Sequence, residues 1–431
     1  MPTVARALTF LAAATAAALA QQPPVPTIDL AGALSRARAY SAQFLAAGTA
    51  AALAREDRVQ ARAALLPSLN SFNEMIYTQG NGTGAGVFVA NNGVHEYAEQ
   101  AVVHAEPLSV TRIAEFRRAK AAEAAAAARQ EVAARGLAAT VIQSYYALAV
   151  AERHLTNAAR GAGEAQNFLD ITRQQEQGGE AAHADVVKAA LQWEQRRRDL
   201  SDAQVAEAHA RLALAVIMLP DITERFEIVD DLKPDTPLMP LEEFRGLALN
   251  NSPDVRAARL GVEQANHGVA AAKGVYYPSL ALDYFYGIDA NNFGIHGPDR
   301  MRNLGSVVQG SITIPVWNFG ANQSRVRQAE IQRRQAETDL ALARRQLQGA
   351  IEAFYVEAQT ARGQIDSLRS SLDLAGESLR LTLLRYQAGE ATALEVADAQ
   401  TTLAQARNGY ADGLARYRLA LANMQTLTGR F

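Results

Sequence analysis

The stretch that decides the fold is RYQAGEATALEVADAQ, residues Arg385–Gln400. Gly389 can adopt the positive φ that ends a helix, and Thr392 suits the first position of a new one. Apolar residues at heptad spacing lead into this stretch and out of it. The incoming positions are Leu347, Ile351, Phe354, Ala358, Ala361, Ile365, Leu368, Leu372, Ala375 and Leu379, and the outgoing ones are Val396, Ala399, Leu403, Ala406, Tyr410, Gly413, Tyr417, Ala420, Met424 and Leu427. We therefore predict a tight turn between two long helices, a helical hairpin.

The same pattern occurs earlier in the chain at a nearly constant offset. The matching pairs, with their separations by subtraction, are Pro67 and Pro278 (211), Pro107 and Pro315 (208), Tyr145 and Phe354 (209), Gly179 and Gly389 (210), and Asp185 and Glu395 (210). So steady an offset along the whole chain indicates a duplicated unit. We predict a first repeat over residues 21–219, a second over 241–431, and between them a proline-rich, acidic equatorial linker, 220–240, that connects the helices or packs outside them.

Each repeat is predicted to run helix, strand, loop, strand, long helix, turn, long helix. The predicted elements are an opening helix at Asp29–Ala64, strands near 68–78 and 97–105 in the first repeat and 280–289 and 305–316 in the second, long helices at Thr111–Gln175 and Phe319–Gln387, and hairpin tips near 176–185 and 386–395. Helices of about 65 residues would be roughly 100 Å long, which suits spanning a compartment more than building a compact domain.

The composition of the chain and its first residues predict where in the cell the protein is located. The chain has 431 residues, 49% of them hydrophobic, and a formal net charge of −3, so no basic field predicts binding to nucleic acid. Residues 1–20 have the pattern of a secretory signal peptide, with Arg6, an apolar core at Ala7–Ala17 and a small-residue cleavage site. Cysteine is absent, which excludes disulfides and the lipid attachment of a lipoprotein.

The predicted strands have the pattern of membrane strands. Leu280, Leu282, Tyr284 and their apolar successors alternate with residues such as Asp283 over about ten positions, as transmembrane β-strands do. Four strands cannot close a barrel around a lumen, and open strand edges are not tolerated in lipid. Strands that enter a membrane would therefore have to share one barrel with other chains. The alternative is a pair of surface hairpins on a soluble helical protein.

Three passages carry a family resemblance that covers nearly all of the chain after residue 20. They are YYPSLALD (276–283), SITIPVWNFGANQSRVRQAE (311–330) and RYQAGEATALEVADAQTTLAQAR (385–407), and they resemble the TolC-like outer-membrane efflux ducts. The resemblance implies a mainly α protein with a membrane β-barrel portion. It implies a homotrimer in which each chain gives four strands to a twelve-stranded β-barrel and its helices to a twelve-helix periplasmic α-barrel. It also implies outer-membrane lipid, a periplasmic adaptor and an inner-membrane pump as partners.

The resemblance also implies roles for residues at the tips. An acidic pore gate falls on Glu395 and Asp398, with Asp185 at the repeat-equivalent position of Glu395, and the six carboxylates that Glu395 and Asp398 give a trimer would favour cations. Thr392 and Glu395 also fit a capping box, in which Glu395 serves only the helix start. Lys188, which replaces the second acid in the first repeat, could pair with a neighbouring carboxylate or remain a solvated surface lysine.

Adaptor docking falls on the tip turns. Gly179 and Gly389 match the family pattern, whereas Glu180 and Glu390 depart from the small or apolar residue, Gly, then Leu or Thr that family tips place there. Tyr386 matches a tip tyrosine of the family but could equally be a packing residue.

The sequence contains no catalytic or nucleotide-binding motif, and its seven histidines have no paired metal-ligand spacing, so neither an enzyme nor a bound cofactor is predicted. The predicted function is a passive exit duct in the bacterial outer membrane. The alternative is a periplasmic or secreted coiled-coil scaffold or adhesin without a pore.

Overall fold

A computed structural model describes residues 26–77, 95–233, 237–297 and 300–429. The predicted signal peptide (1–20) and the glycine-rich segment GNGTGAG (80–86) lie outside the described residues. Within them, the helices are α1 Leu30–Tyr40, α2 Ala42–Ala63, α3 Val110–Gly178, α4 His183–Met218, α5 Leu241–Asn251, α6 Pro253–Gly274, α7 Ala321–Gln387 and α8 Ala393–Thr428. None of the helices in these ranges contains a segment apolar and long enough to cross a membrane.

The predicted opening helix, Asp29–Ala64, is wrong as a single element because it is broken at Ser41. Ser41 has ψ 112°, outside the helical region, and its Oγ accepts a hydrogen bond from the N–H of Phe44 at 3.3 Å. Ser252 breaks the second repeat in the same way between α5 and α6, and Pro253 follows it at the first helical position. Serine competes for backbone donors and so favours helix starts over helix interiors, which explains both breaks.

One sheet contains the four long strands, β2 Ser68–Tyr77, β3 His95–Leu108, β5 Ser279–Ala290 and β6 Leu304–Thr313. Their order is β2-β3-β5-β6 and every neighbouring pair is antiparallel. The predicted strand 305–316 is wrong at its end, because Ile314–Val316 lie outside β6. Pro315 has no N–H to donate to a ladder, so the strand ends before it. β3 extends beyond the predicted 97–105 and has a register shift between Ala105 and Leu108.

The chain divides into two compact units, and each takes segments from both predicted repeats. Counting only described residues, unit 1 draws on the segments 26–45, 134–251 and 350–429, and unit 2 on the segments 46–133 and 252–349. Unit 2 contains the four-stranded sheet. Unit 1 contains both hairpin tips and two apolar clusters: one is built around Tyr145, Leu214 and Tyr417, the other around Phe168, Val186 and Val396.

The predicted linker contributes residues to the core of unit 1. Its residues Glu227–Ile228 form β4, which pairs in parallel with β1, Thr27–Ile28. Phe226 and Leu232 are each only 3% exposed and belong to the cluster around Tyr145. The Tyr145 hydroxyl donates to the carbonyl of Val229 at 2.7 Å, which satisfies a polar group that burial would otherwise leave without a partner.

Candidate functional site: the two hairpin tips

The two tips have the same backbone geometry. Gly179 has φ 77° and Gly389 has φ 76°, in the left-handed region that glycine adopts without steric cost. The Gly179 N–H donates to the carbonyl of Glu176 at 2.9 Å, and the Gly389 N–H donates to the carbonyl of Tyr386 at 3.0 Å. In each tip the following glutamate N–H closes a longer turn at 2.8 Å. These bonds use carbonyls that the helix end would otherwise leave unpaired.

Glu395 forms the capping box that the sequence offered as an alternative to a gate role. Its N–H donates to Oγ1 of Thr392 at 3.3 Å, and the N–H of Thr392 donates to Oε1 of Glu395 at 3.1 Å. Arg385 Nη1 lies 3.5 Å from the other carboxylate oxygen. The bonds from Thr392, backbone first and then hydroxyl, and the charge of Arg385 hold the pKa of Glu395 below its ordinary value. Glu395 is therefore ionised, and the positive charge of Arg385 partly offsets its charge.

Asp398 lies one turn further along α8 and is exposed. Within the described residues its carboxylate makes no ion pair, and only its backbone carbonyl is bonded, to the hydroxyl of Thr402 at 2.9 Å. Glu395 and Asp398 share a helix face because residues three apart are neighbours on a helix. Of the predicted gate acids, Asp398 thus presents the charge with the least compensation.

Asp185 lies in the first turn of α4, in the other tip. Its carboxylate is 3.6 Å from Nζ of Lys188, whose side chain is 52% exposed, so Lys188 is a surface lysine that lies beside Asp185. The side chain of His183 is 80% exposed, and its Nδ1 lies 2.7 Å from Oε1 of Glu176. The first tip is therefore held by surface polar pairs, each of small energy.

A cavity of about 450 Å³ brings residues of the two tips together. Glu180 and Asp185 of the first tip line it, as do Tyr386, Gly389 and Thr392 of the second. Of the predicted docking residues, Gly389 and Glu180 thus share one concave surface. Gly179, Glu390 and the gate residues Glu395 and Asp398 are not among its lining residues.

Tyr386 is a packing residue, which confirms the second of the two interpretations of it. It is 5% exposed, and its ring meets that of Phe168 edge to face with centroids 5.1 Å apart. Its hydroxyl is within hydrogen-bonding distance, 3.3 Å, of Oγ1 of Thr172 in α3. As a docking residue it is a wrong prediction, because its side chain has almost no accessible surface.

Sequence reasoning missed two polar contacts of the hairpins, one at a tip and one further along the helices. Arg385 donates to the carbonyl of Glu390 at 2.9 Å in addition to facing Glu395, and a basic residue in the last turn of a helix was a usable signal. Arg407 forms a two-bond pair with Glu164, at 2.8 and 3.1 Å, and no local pattern links residues this far apart. Within the described ranges, no three His, Asp or Glu residues are grouped so that they could hold a metal ion.

The chain is similar in sequence to known outer membrane proteins. Residues 245–430 match the model of the family described as outer membrane efflux protein. The chain is 24% identical over 296 residues, 68% of its length and 67% of the relative's, to the cobalt-zinc-cadmium resistance protein CzcC of Cupriavidus metallidurans. It is 26% identical over 275 residues to the outer membrane protein TolC of Escherichia coli, covering 61% of this chain and 55% of that one.

The fold is also that of solved outer membrane channels. The CmeC channel of Campylobacter jejuni superimposes with a TM-score of 0.81 at 17% identity, covering 93% of this chain and 85% of that one. The outer membrane protein VceC of Vibrio cholerae gives 0.81 at 19% identity, covering 93% and 96%.

Proposed function

We propose, since the chain belongs to the TolC-like family of outer membrane efflux proteins, that it is the outer-membrane exit duct of a tripartite efflux or type I secretion system. In this role it conducts substrates passively from an inner-membrane pump and a periplasmic adaptor to the outside. Energy comes from the pump, because the duct only opens and closes.

The sheet is the observation that carries this proposal. It has four strands and two unpaired edges, β2 and β6. Because each neighbouring pair is antiparallel, β2 and β6 run in opposite directions, so β6 of one copy can pair antiparallel with β2 of the next. In lipid, unpaired edges cost several kcal/mol for each backbone group. Three copies would give twelve strands without an edge, and their long helices a twelve-helix tunnel.

The two faces of the sheet support the same assignment. On one face Leu282, Tyr284 and Tyr286 lie opposite Ala105, Val103 and Ala101 of β3. On the other face Asp283 lies opposite His104, with Oδ1 and Nδ1 2.7 Å apart, and Gln100 donates to Asp289 at 3.5 Å. An apolar face towards lipid and a polar face towards a lumen is the pattern of a membrane barrel. Exceptions are Glu99 and Asn73, which pair with each other on the apolar face, and Phe285 and Val102, which pair on the polar face.

The gate is proposed to lie at the periplasmic tips, with the turns at Gly179 and Gly389 moving apart when it opens. Asp398 is its principal acid, because it is exposed and makes no ion pair in the described part of the chain. Glu395 and Asp185 contribute less, because Arg385 and Lys188 lie beside them. Adaptor docking is proposed at the turns themselves, where Glu180 and Glu390 are exposed.

Planar-bilayer recordings of the purified protein test both proposals. We expect single channels, with cation preference and block by multivalent cations reduced in Asp398→Asn and less reduced in Glu395→Gln. Glu243→Gln, an exposed carboxylate on α5, is the matched control and should change neither property. Unchanged selectivity in an Asp398→Asn/Glu395→Gln double variant would remove these acids from the gate. A monomeric protein that never conducts would contradict the duct and favour the scaffold.

A further inference from the structure

The loop between β5 and β6 lies at the end of the sheet away from the helices. Helix α6 leads into β5 and β6 leads out towards α7, so the connection between the two strands is at the far end. In an outer membrane protein whose helices are periplasmic, that end faces the outside of the cell. The lipid-facing side of the sheet meets the outer leaflet of the membrane there.

Asn303, the residue before β6, holds the loop in a defined conformation. Its N–H donates to the carbonyl of Ile295 at 2.8 Å. Its side-chain amide donates to Oδ1 of Asn292 at 2.6 Å and to the carbonyl of Gly294 at 2.9 Å. These bonds fix the first half of the loop relative to the start of β6.

The loop folds back over the apolar face of the sheet. The ring of Phe293 meets that of Tyr97 edge to face, with centroids 6.3 Å apart. Tyr97 is on the apolar face, because alternate residues of a strand share a face and Ala101, four positions on, lies opposite Tyr286. Phe293 and Ile295 remain 70% and 53% exposed, which is unfavourable in water and favourable in lipid.

A groove of about 750 Å³ lies between the loop and the sheet. The loop lines it with Phe293, Gly294 and Ile295, and the apolar face of the sheet with residues that include Leu69, Ala101, Tyr286, Ile288 and Leu304. From the pair of Ile288 to the pair of Leu69 the groove follows β3 for four residues, or about 14 Å. Because β3 and β5 are the inner strands, pairing of the sheet edges leaves the groove open.

Glu99 is the charged residue among those that line the groove in the described part of the chain. It pairs with Ile288, which pairs with Leu304, the first residue of β6. Glu99 therefore lies at the loop end of the groove, and it is exposed. A carboxylate accepts hydrogen bonds from hydroxyl groups. The groove thus offers apolar contacts along the strands and a hydroxyl acceptor at its loop end.

Two arginines, Arg300 and Arg302, belong to the same loop. Both are exposed, and neither makes an ion pair within the described residues. In the sequence they are the only arginines of Ser68–Leu108 and Ser279–Thr313, which contain all four long strands and no lysine. They outnumber the one acid of the loop, Asp299. Guanidinium groups bind phosphate through paired hydrogen bonds, so the loop is complementary in charge to a phosphorylated ligand.

On the membrane orientation of the proposed function, we infer that this groove binds lipid A, the phosphorylated acyl glycolipid of the outer leaflet. An acyl chain lies in the groove along the strands, the phosphates bind Arg300 and Arg302, and a sugar hydroxyl donates to Glu99. Lipid A has a phosphate at each end of its sugar head. It therefore matches two arginines and a hydroxyl acceptor better than a phospholipid, which has a single phosphate.

Native mass spectrometry of the full-length protein, purified in detergent and stripped of lipid, tests the binding. With added hexaacyl lipid A we expect up to one bound molecule per chain, and binding of dioleoylphosphatidylglycerol at least about tenfold weaker. Arg300→Gln/Arg302→Gln should weaken lipid A binding at least about tenfold, because hydrogen bonds to charged groups are the strong ones. Arg344→Gln/Arg345→Gln, which removes two exposed arginines of α7, is the matched control and should bind as the parent does.

Filling the groove tests its location. Ala101→Trp places a large ring among the lining residues and should weaken lipid A binding at least about tenfold, because the acyl chain loses apolar contacts. Val308→Trp is the matched control and should leave binding unchanged. Val308 lies opposite Tyr284 on the same face and is not among the lining residues. Light scattering in detergent checks that each variant assembles as the parent does.

The outcomes separate the lipid site from the proposed function. A protein that conducts in planar bilayers but binds lipid A no better than phosphatidylglycerol would overturn the site and leave the duct standing. Undiminished lipid A binding in Arg300→Gln/Arg302→Gln or in Ala101→Trp would also overturn it, because the lipid would then be bound elsewhere. A protein that never enters bilayers would overturn both.

Discussion

The two hairpin tips share one turn and differ in how it is held. Gly179 and Gly389 have nearly identical φ values, whereas the side chains around them differ at equivalent positions. Where the second tip has Tyr386 and a Thr392 cap, the first has Glu176 and an uncapped Ala182. Glycine thus meets the backbone requirement of both turns, while Tyr386 is buried in the core and Glu176, at the equivalent position, makes a surface contact. We therefore expect the first tip to open more readily than the second.

The largest difference in local stability between the tips is expected from replacing Tyr386, the buried side chain of the second tip. Tyr386→Ala should lower the local stability of the second tip by about 3–4 kcal/mol, because it removes a buried ring packed on Phe168. Glu176→Ala should cost under about 1 kcal/mol, because it removes only a surface contact to His183. Hydrogen exchange of peptides covering each tip measures both. Tyr386→Phe, which keeps the ring and loses the bond to Thr172, should cost about 1 kcal/mol.

Replacing the turn glycines by alanine should lower the local stability of both tips by similar amounts. Gly179→Ala and Gly389→Ala should each cost about 1–2 kcal/mol, since a Cβ is strained at these positive φ angles although nothing lies within 4 Å of it. The measurement is local hydrogen exchange in each tip. Gly163→Ala is the control: this exposed glycine is inside α3 and should stabilise it by roughly 0.5–1 kcal/mol. Clearly unequal losses at the two turns would contradict the equivalence of their backbones.

Exchanging the helix-capping residues should narrow the difference in local stability between the two tips. Thr392→Ala should destabilise the second tip by about 1 kcal/mol, because the N–H of Glu395 loses its acceptor. Ala182→Thr should stabilise the first tip by a similar amount, because Ala182 has the extended backbone, φ −75° and ψ 146°, of a capping residue. Protease cleavage rates at each tip report the change. Ala182→Val, β-branched but without an oxygen, should not reproduce the gain.

The smallest effect is expected in how the local stability of the second tip depends on pH. The pKa of Glu395 is lowered in the folded chain, chiefly by its bonds from Thr392, so its contribution to stability is present above the unfolded pKa and disappears as pH falls through the folded pKa. Glu395→Gln should therefore flatten the acid-side decline in the stability of the second tip. Exchange rates corrected for intrinsic pH dependence, compared between the variant and the parent, would reveal it. An unchanged slope would show that another carboxyl dominates.

Patterns in the sequence predicted those parts of the structure that depend on interactions between residues close in sequence. The turn at Gly389, the cap at Thr392 and the long heptad helices each depend on residues close in sequence, and they were found. The sequence did not reveal the pairing of Tyr386 with Phe168, or of Arg407 with Glu164, because each depends on helices brought together by tertiary packing. The break at Ser41 was missed because one polar residue hardly disturbs the apolar periodicity, although serine is a common helix start.

The face of α7 that carries Leu374 was missed for a different reason. The apolar series Ile351, Ala358 and Ile365 accounts for one buried face of α7, and Leu374, 68% exposed, lies on the opposite side of the same helix. A helix with two apolar seams has two neighbours to satisfy, and in the described part of this chain only one of them is present.

The pairing of β1 with β4 has a consequence for how such a chain could have arisen. The joint between the two repeats supplies Phe226 and Leu232 to a core that both repeats share. Because the segment that joins the two repeats is buried in this way, the repeats could not readily be separated into two stable proteins. Separation would expose the apolar residues of the joining segment to water. A doubled ancestor thereby becomes a permanent single polypeptide.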